Sequence, residues 1–86
     1  MIEYRVAVVR SARKELEKLP RPVAERVIAS LERLRAQPRP AAARKLQGAA
    51  DLWRIRVGHY RVVYAIDDVH HTIDVRVVRH RKDAYR

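Results

Sequence analysis

The feature that most constrains this chain of 86 residues is the dipeptide Gly58-His59, which lies between two segments that favour β-structure. Residues 51–57 and 60–67 are rich in β-branched and aromatic side chains. A two-residue loop with glycine in first place is typical of the type II′ turn, which joins two adjacent antiparallel strands. The sequence therefore predicts a β-hairpin of fixed register. Its opposed pairs are Val57 and Tyr60, Arg56 and Arg61, Ile55 and Val62, Arg54 and Val63, and Trp53 and Tyr64.

This register sorts the hairpin side chains onto two faces, because directly opposed residues project to the same side of a sheet. One face is apolar and is the predicted core: Trp53, Ile55, Val57, Tyr60, Val62, Tyr64 and Ile66. The other face collects Arg54, Arg56 and Arg61. Two opposed arginines repel each other, and a bound anion would remove that repulsion. The alternative is that their aliphatic stems cover apolar surface while the charged ends extend into water.

Two further strands are predicted at the ends of the chain. Residues 2–8 alternate between apolar and other side chains, as a half-buried strand does. Residues 72–79 alternate in the same way and predict the last strand. Its alternation places Ile73, Val75 and Val77 inward and Asp74, Arg76, Val78 and His80 outward.

Two helices are predicted between the first strand and the hairpin. Ser11 is a candidate N-cap for a short helix that ends at Leu19-Pro20, since the residue before proline avoids helical backbone angles. Pro22 suits the first turn of a second helix, which should end near Ala36. Apolar residues recur in that helix at spacings of three and four: Val23, Val27, Ile28, Leu31 and Leu34. Residues 36–43 then form an extended connector.

These elements predict a single α+β domain over residues 1–86, with the order β-α-α-β-β-β. The expected architecture is a twisted antiparallel sheet, with the helix hairpin packed on one face and a basic groove on the other. Cysteine is absent, which excludes disulfides and thiolate metal sites. His70 and His71 follow two aspartates, and a polar hairpin loop explains them better than a metal site does, so no metal or other cofactor is expected.

The balance of charge points to a polyanionic partner. The formal net charge is +10 and the sequence pI is about 11.1. Residues 33–61 carry eight basic and one acidic side chains, a net charge of +7. No apolar run approaches the roughly 20 residues that cross a bilayer, and no secretory signal begins the chain. We therefore expect a cytoplasmic protein without a membrane partner.

Three stretches of this sequence resemble the RelE/ParE toxin superfamily. They are Lys45-Leu46-Gln47-Gly48, the hairpin from Leu52 to Tyr64, and the terminal His80-Arg81-Lys82-Asp83-Ala84-Tyr85-Arg86. The order of strands and helices also resembles that superfamily along essentially the whole chain. RelE-type members cut messenger RNA in the ribosomal A site, whereas ParE-type members poison DNA gyrase. The resemblance thus implies a toxin of a type II toxin–antitoxin system, with a RelB-like antitoxin, the ribosome and mRNA as partners.

The RelE-type pattern is matched at five positions, and it favours a metal-independent endoribonuclease. The resemblance implies catalytic roles for Arg61, Arg81 and Tyr85. It also implies basic residues on the second strand, which Arg54 and Arg56 supply. We assign RNA binding to Arg54 and Arg56 and to the other basic residues near the five matched positions. The full set is Arg44, Lys45, Arg54, Arg56, His80 and Lys82.

The general base of such a reaction stays open. RelE-type enzymes often carry lysines on the second strand, where this chain has arginines, and arginine does not accept a proton at ordinary pH. Tyr85 or His80 would then act as the base, or the site would depend on positioning the RNA. Two alternatives to the ribonuclease are a ParE-like gyrase inhibitor and a basic RNA-binding module without catalysis.

Overall fold

The computed structural model describes residues 2–48 and 51–84. In chain order its elements are β1 (Arg5–Val8), α1 (Arg10–Glu17), α2 (Arg21–Leu34), β2 (Arg44–Lys45), β3 (Leu52–Val57), β4 (Tyr60–Asp67), β5 (Thr72–His80) and α3 (Arg81–Ala84). The strands form one sheet in the order β1-β5-β4-β3-β2. The predicted α+β architecture, with two main helices on one face of a sheet, is confirmed. Residues 85 and 86, and so Tyr85, lie outside the described residues.

The predicted hairpin is present as β3 and β4, and all of its predicted pairs are observed. Gly58 has a φ of 60°, in the left-handed region that glycine adopts without steric cost. That value suits the first central position of a type II′ turn. The turn therefore fixes which hairpin residues face the core.

The sheet is mixed, whereas the sequence predicted a purely antiparallel one. β1 runs parallel to β5, with Arg5 opposite Thr72 and Val8 opposite Val75. Parallel neighbours need a long crossover connection, which the two helices and three intervening strands provide here. The short strand β2 was also missed, because two residues that pair with Trp53 and Arg54 carry no alternation to detect.

Helix α1 begins two residues earlier than the sequence indicated, and Ser11 is not its N-cap. Val9 holds that position, and no side chain caps the helix. The amide of Val9 donates to the carbonyl of Val75 at 3.0 Å, while the carbonyl of Val9 accepts from Arg13 at 2.9 Å. The chain thus passes directly from the parallel ladder into the helix and needs no capping side chain. Helix α2 ends at Leu34, two residues before the predicted end.

The core lies between the helices and one face of the sheet. Its helical part includes Ala12, Val27, Leu31 and Leu34, and its strand part includes Ile55, Val57, Val62, Tyr64, Ile66, Ile73, Val75 and Val78. Ile28 departs from the predicted apolar stripe and is 48% exposed. Burial of Tyr64 raises the pKa of its hydroxyl to about 12, and this hydroxyl donates to the Pro38 carbonyl at 2.8 Å. No helix in the described parts of the chain is long and apolar enough to span a membrane.

A bulge in β5 reverses the predicted orientation of its last residues. Tyr64 lies opposite Val75 and Val63 lies opposite Val77, so Arg76 has no opposed residue in the ladder. Beyond this point Val78 is buried, and Val77 projects to the other face. The prediction of Val77 inward with Val78 and His80 outward is therefore wrong. One extra residue exchanges the two faces of a strand.

Asp68 joins three distant segments of the fold. Its carboxylate accepts from the Tyr4 hydroxyl at 2.6 Å and from both terminal nitrogens of Arg39, at 3.2 and 2.7 Å. The Arg39 guanidinium also lies over the Trp53 ring, 5.3 Å from its centroid. The hydrogen bonds from Arg39 and Tyr4 lower the pKa of Asp68 from 3.8 to about 2. This network fixes the extended connector against the turn between β4 and β5.

We expect Asp68→Asn to remove a pH-dependent part of the folding stability. The folded-state pKa of Asp68 lies below its unfolded value, so its stabilising contribution is present near neutral pH and is lost as pH falls from about 4 towards about 2. The melting temperature of the variant should be lower than that of the wild type near neutral pH, and the two should converge in acid. Asp51→Asn, which removes an exposed carboxylate outside this network, serves as the control. An equal difference at all pH values would contradict this assignment.

Candidate functional site

Three arginines lie side by side on the sheet face opposite the helices, which we call the outer face. Arg56 on β3 is opposed to Arg61 on β4, and Arg61 is opposed to Arg79 on β5. Neighbouring strands are about 4.8 Å apart, so these residues form a row about 10 Å long. We call this set the arginine row. The pair Arg56 and Arg61 was predicted, whereas Arg79 was missed.

The bulge explains why Arg79 was missed. Uninterrupted alternation would have placed Arg79 on the core face, but the extra residue at Arg76 moves it to the outer face. A signal for this change is present in the sequence: the adjacent residues Val77 and Val78 cannot both face the core in a regular strand. The structure thus enlarges the predicted basic surface by one arginine.

The members of the row differ in burial. Arg56 is exposed, whereas Arg61 is half-buried at the centre of the row, and its Nε atom is buried. A side chain held in this way on a central strand loses little further conformational freedom when it binds an anion. The guanidinium also presents a planar fork of donors that matches two oxygens of a phosphate group. Arg61 is therefore the best-positioned anion-binding residue of the row.

Arg79 is held at the sheet edge by Glu15 of α1. Its Nε donates to Glu15 Oε2 at 2.5 Å, and Glu15 Oε1 accepts from the backbone amide of Val78 at 3.2 Å. β1 pairs with β5 only as far as Val8 opposite Val75, so Glu15 satisfies an edge amide beyond the last residue of β1. A single carboxylate thus continues the ladder and compensates one charge of the row.

A second basic pair follows the arginine row on the outer face. Arg44 on β2 is opposed to Arg54 on β3, and Arg54 is opposed to Val63. The guanidinium of Arg44 donates to the carbonyls of Ala41 and Ala43, both at 3.0 Å. The predicted residues Arg44, Arg54, Arg56 and Arg61 therefore share one face of the sheet.

Lys45 and His80 do not share that face. Lys45 is opposed to Trp53, and His80 is opposed to Tyr60, so both occupy register positions on the helix side of the sheet. The His80 ring packs edge-on against Tyr60, with 5.2 Å between the ring centroids. Its Nδ1 accepts from the backbone amide of Lys82 at 3.2 Å. That bond leaves the proton of a neutral His80 on Nε2.

The other predicted residues near the C-terminus belong to α3. Arg81 begins this helix, and its backbone amide donates to the carbonyl of His59 at 2.8 Å, which joins α3 to the β3–β4 turn. Lys82 follows and is exposed. The described part of α3 therefore begins beside the end of the sheet where β4 starts.

The opposite end of the outer face is acidic. Asp51, Asp67, Asp68 and Asp74 line a shallow cavity of about 700 Å³, together with one basic residue, Arg76. Carboxylates repel phosphate, so this end disfavours a nucleic-acid backbone. The half of the outer face that carries the arginine row is therefore the half whose charge favours a polyanion.

The described sheet thus carries a basic surface bounded by acidic groups, which favours an anionic partner, and comparisons with known proteins specify the family. A family model described as the ParE toxin of the type II toxin–antitoxin system parDE matches residues 6–85. Toxin RelE of Mycobacterium tuberculosis is 32% identical over 84 residues, which cover 96% of this chain and 87% of that protein.

Solved structures agree with this match. RelE in an archaeal RelE–RelB complex from Pyrococcus horikoshii has a TM-score of 0.83 and 29% identity, covering 93% of this chain and 97% of that one. A mutant E. coli toxin RelE in the free state has a TM-score of 0.82 and 29% identity, and the match covers 98% of this chain and 90% of that one. The chain belongs to the RelE/ParE superfamily and is a RelE-like toxin of a type II toxin–antitoxin system.

We expect Glu15→Ala to destabilise the fold more than Arg79→Gln does. The first change removes the acceptor of a part-buried strand amide, that of Val78, and should lower the free energy of unfolding by about 1–3 kcal/mol. The second removes a half-exposed ion pair and should cost less than about 1 kcal/mol. Urea unfolding of both variants measures the difference. Equal losses of unfolding free energy in the two variants would contradict this expectation. They would show that Glu15 stabilises the fold through its ion pair with Arg79 and not through its hydrogen bond to Val78.

Proposed function

We propose that this toxin is a ribosome-dependent endoribonuclease that cleaves mRNA in the A site through the 2′-hydroxyl of the RNA. The observation that carries the proposal is the arginine row, with the half-buried Arg61 between Arg56 and Arg79. A row of guanidinium groups on a rigid sheet can stabilise the negative charge that develops on a phosphate during nucleophilic attack. The resemblance of the C-terminal residues to RelE-type toxins supports the same reaction.

The proposed reaction begins when the 2′-oxygen attacks the adjacent phosphorus and loses its proton. The bond to the 5′-oxygen of the next nucleotide then breaks, and that oxygen gains a proton, which leaves a 2′,3′-cyclic phosphate. Negative charge on the non-bridging oxygens increases in the transition state. Arg61 donates to those oxygens, while Arg54 and Arg56 hold neighbouring phosphates. This scheme requires no metal and no other cofactor.

The proton-transfer groups are proposed to lie near the C-terminus. Arg81 stabilises the departing oxygen, and Tyr85 acts as the base or stacks on a nucleobase. His80 is a weaker candidate for the base, since its Nδ1 already accepts a backbone hydrogen bond and its Nε2 would carry the proton. We propose that Arg44 binds RNA on the outer face, and that Lys45 on the edge strand β2 and His80 and Lys82 near the C-terminus contribute to RNA binding from outside that face. None of these four residues takes part in the chemistry.

The proposed partners are the ribosome with its mRNA and a RelB-like antitoxin. RelE of Pyrococcus horikoshii was solved in complex with RelB. An acidic antitoxin would be complementary to the net charge of +10 of this chain. Bound over the arginine row, it would exclude RNA by competition for the same charges.

Expression without the antitoxin should arrest growth by halting translation. Toeprinting on a translated message should then show new 3′ ends at the A-site codon, and purified toxin should produce the same ends on programmed ribosomes. A gyrase supercoiling assay is the matched control, because a ParE-like inhibitor would block it and leave messages intact. Intact messages together with inhibited gyrase would contradict the ribonuclease proposal.

Arg61→Ala should separate catalysis from binding. Loss of a donor directed at developing charge typically lowers the rate on the order of 100- to 1000-fold, whereas removal of one phosphate contact weakens binding far less. Arg61→Lys keeps the charge without the planar fork and should also remain well below wild type. The readouts are single-turnover cleavage and affinity for programmed ribosomes. Arg76→Ala, at the acidic end of the outer face, is the matched control and should cleave normally.

Equal and modest losses of rate and affinity in Arg61→Ala would contradict its catalytic role. Arg61 would then be one phosphate contact among several.

A further inference from the structure

A second group of arginines lies where α2 approaches the β3–β4 turn. Arg26 and Arg33 are seven positions apart on α2 and so project from the same side of the helix. Together with Arg56 they line a cavity of about 340 Å³. Ala29, Ser30, Val57 and Gly58 complete its lining. We call this place the α2 corner.

The positive charge of the α2 corner is uncompensated. Among the described residues, Arg26, Arg33 and Arg56 form no ion pair with a carboxylate, whereas elsewhere Arg35 and Arg39 do. Three positively charged residues that line one small cavity repel one another, and no ion pair with a carboxylate of the described chain offsets their charge. A bound anion would supply that stabilisation.

The cavity also offers a neutral donor and room for an anion. Arg33 Nη2 donates to Ser30 Oγ at 3.1 Å, so the Ser30 hydroxyl proton is available to another acceptor. Gly58 leaves space at the turn, because a Cβ at that position would lie 3.2 Å from Arg26 Nη1. The Arg26 guanidinium therefore lies close to the turn, on an exposed residue that an anion in solution can reach.

The α2 corner is continuous with the arginine row through Arg56, which belongs to both. β2 pairs with β3 at Trp53 and Arg54, and in the described part of the chain no strand pairs with the edge of β3 at Ile55–Val57. A phosphate backbone can therefore pass from the outer face over this edge to α2. Arginines on adjacent strands are about 4.8 Å apart at the backbone, and their long side chains can adjust to the spacing of successive phosphates.

We propose that the α2 corner binds a backbone phosphate of RNA, as an extension of the surface formed by the arginine row. This inference rests on the proposed action on RNA, but it concerns binding and not cleavage. Bidentate contacts from Arg26 and Arg33 and a hydrogen bond from Ser30 would hold the phosphate, and Arg56 would connect the two sites. The corner increases affinity and takes no part in the chemistry.

The test uses a short single-stranded RNA with 2′-O-methyl groups, which keeps every phosphate but cannot react through its 2′-oxygens. Binding is measured by fluorescence anisotropy over a series of salt concentrations. The double variant Arg26→Gln, Arg33→Gln should weaken binding and make the slope of log K against log salt shallower by about 0.7 for each phosphate that is no longer neutralised. The matched control is Arg10→Gln, Arg13→Gln, which removes the same charge from exposed positions on α1.

The inference is supported if the α2 variant has a shallower slope while the α1 control keeps the wild-type slope. An equal change in both variants would show a general effect of net charge, and no change in either would show that RNA does not reach α2; both results overturn the proposal. Normal RNA binding with weakened antitoxin binding would assign the corner to the antitoxin and also overturn it. Thermal melting verifies folding, and the single variants replace the double one if it does not fold. Because the probe cannot be cleaved, failure of the ribonuclease proposal would leave this result interpretable.

Discussion

The structure depends on the register of the central hairpin, which buries one face and concentrates charge on the other. Ile55 and Val62 are opposed and face the helices, so their neighbours Arg56 and Arg61 must be opposed on the outer face. A slip of one residue would place arginines in the core, where an unpaired charge is very costly. Burial on one side thus enforces a repulsive contact on the other. A bound anion would relieve that repulsion.

The remaining charges determine where such an anion can lie. Glu15 compensates Arg79 at one edge of the sheet, and Asp68 binds Arg39 within a structural network. Three further aspartates, Asp51, Asp67 and Asp74, make the far end of the outer face unfavourable for phosphate. The basic surface therefore runs from the arginine row to the α2 corner. Net charge alone predicted a polyanionic partner, whereas this distribution of charge is the basis for the path that we propose for an RNA backbone.

Sequence patterns predicted the hairpin completely, since a two-residue turn and strict alternation determine both register and facing. The sequence patterns failed where the backbone departs from the regular two-residue alternation of a strand. The bulge at Arg76 exchanged the faces of Val78 and His80, and it hid Arg79 from the predicted site. The parallel pairing of β1 with β5 was missed because strand direction across a long crossover depends on the packing of the helices, and no local pattern records it. The catalytic roles were assigned from family resemblance. Among them, the role of Arg61 has the strongest physical support, because this residue is half-buried at the centre of the arginine row.

The central claim is that the arginine row serves a reaction in which the RNA attacks its own phosphate. The most direct measurement compares programmed ribosomes whose A-site codon carries ribose with ribosomes whose A-site codon carries 2′-deoxyribose at every position. The account predicts similar toxin affinity for both, cleavage of the ribose message to a 2′,3′-cyclic phosphate, and no cleavage of the deoxy message. Equal cleavage of the two messages would contradict it, because the nucleophile would then be water or a group of the protein.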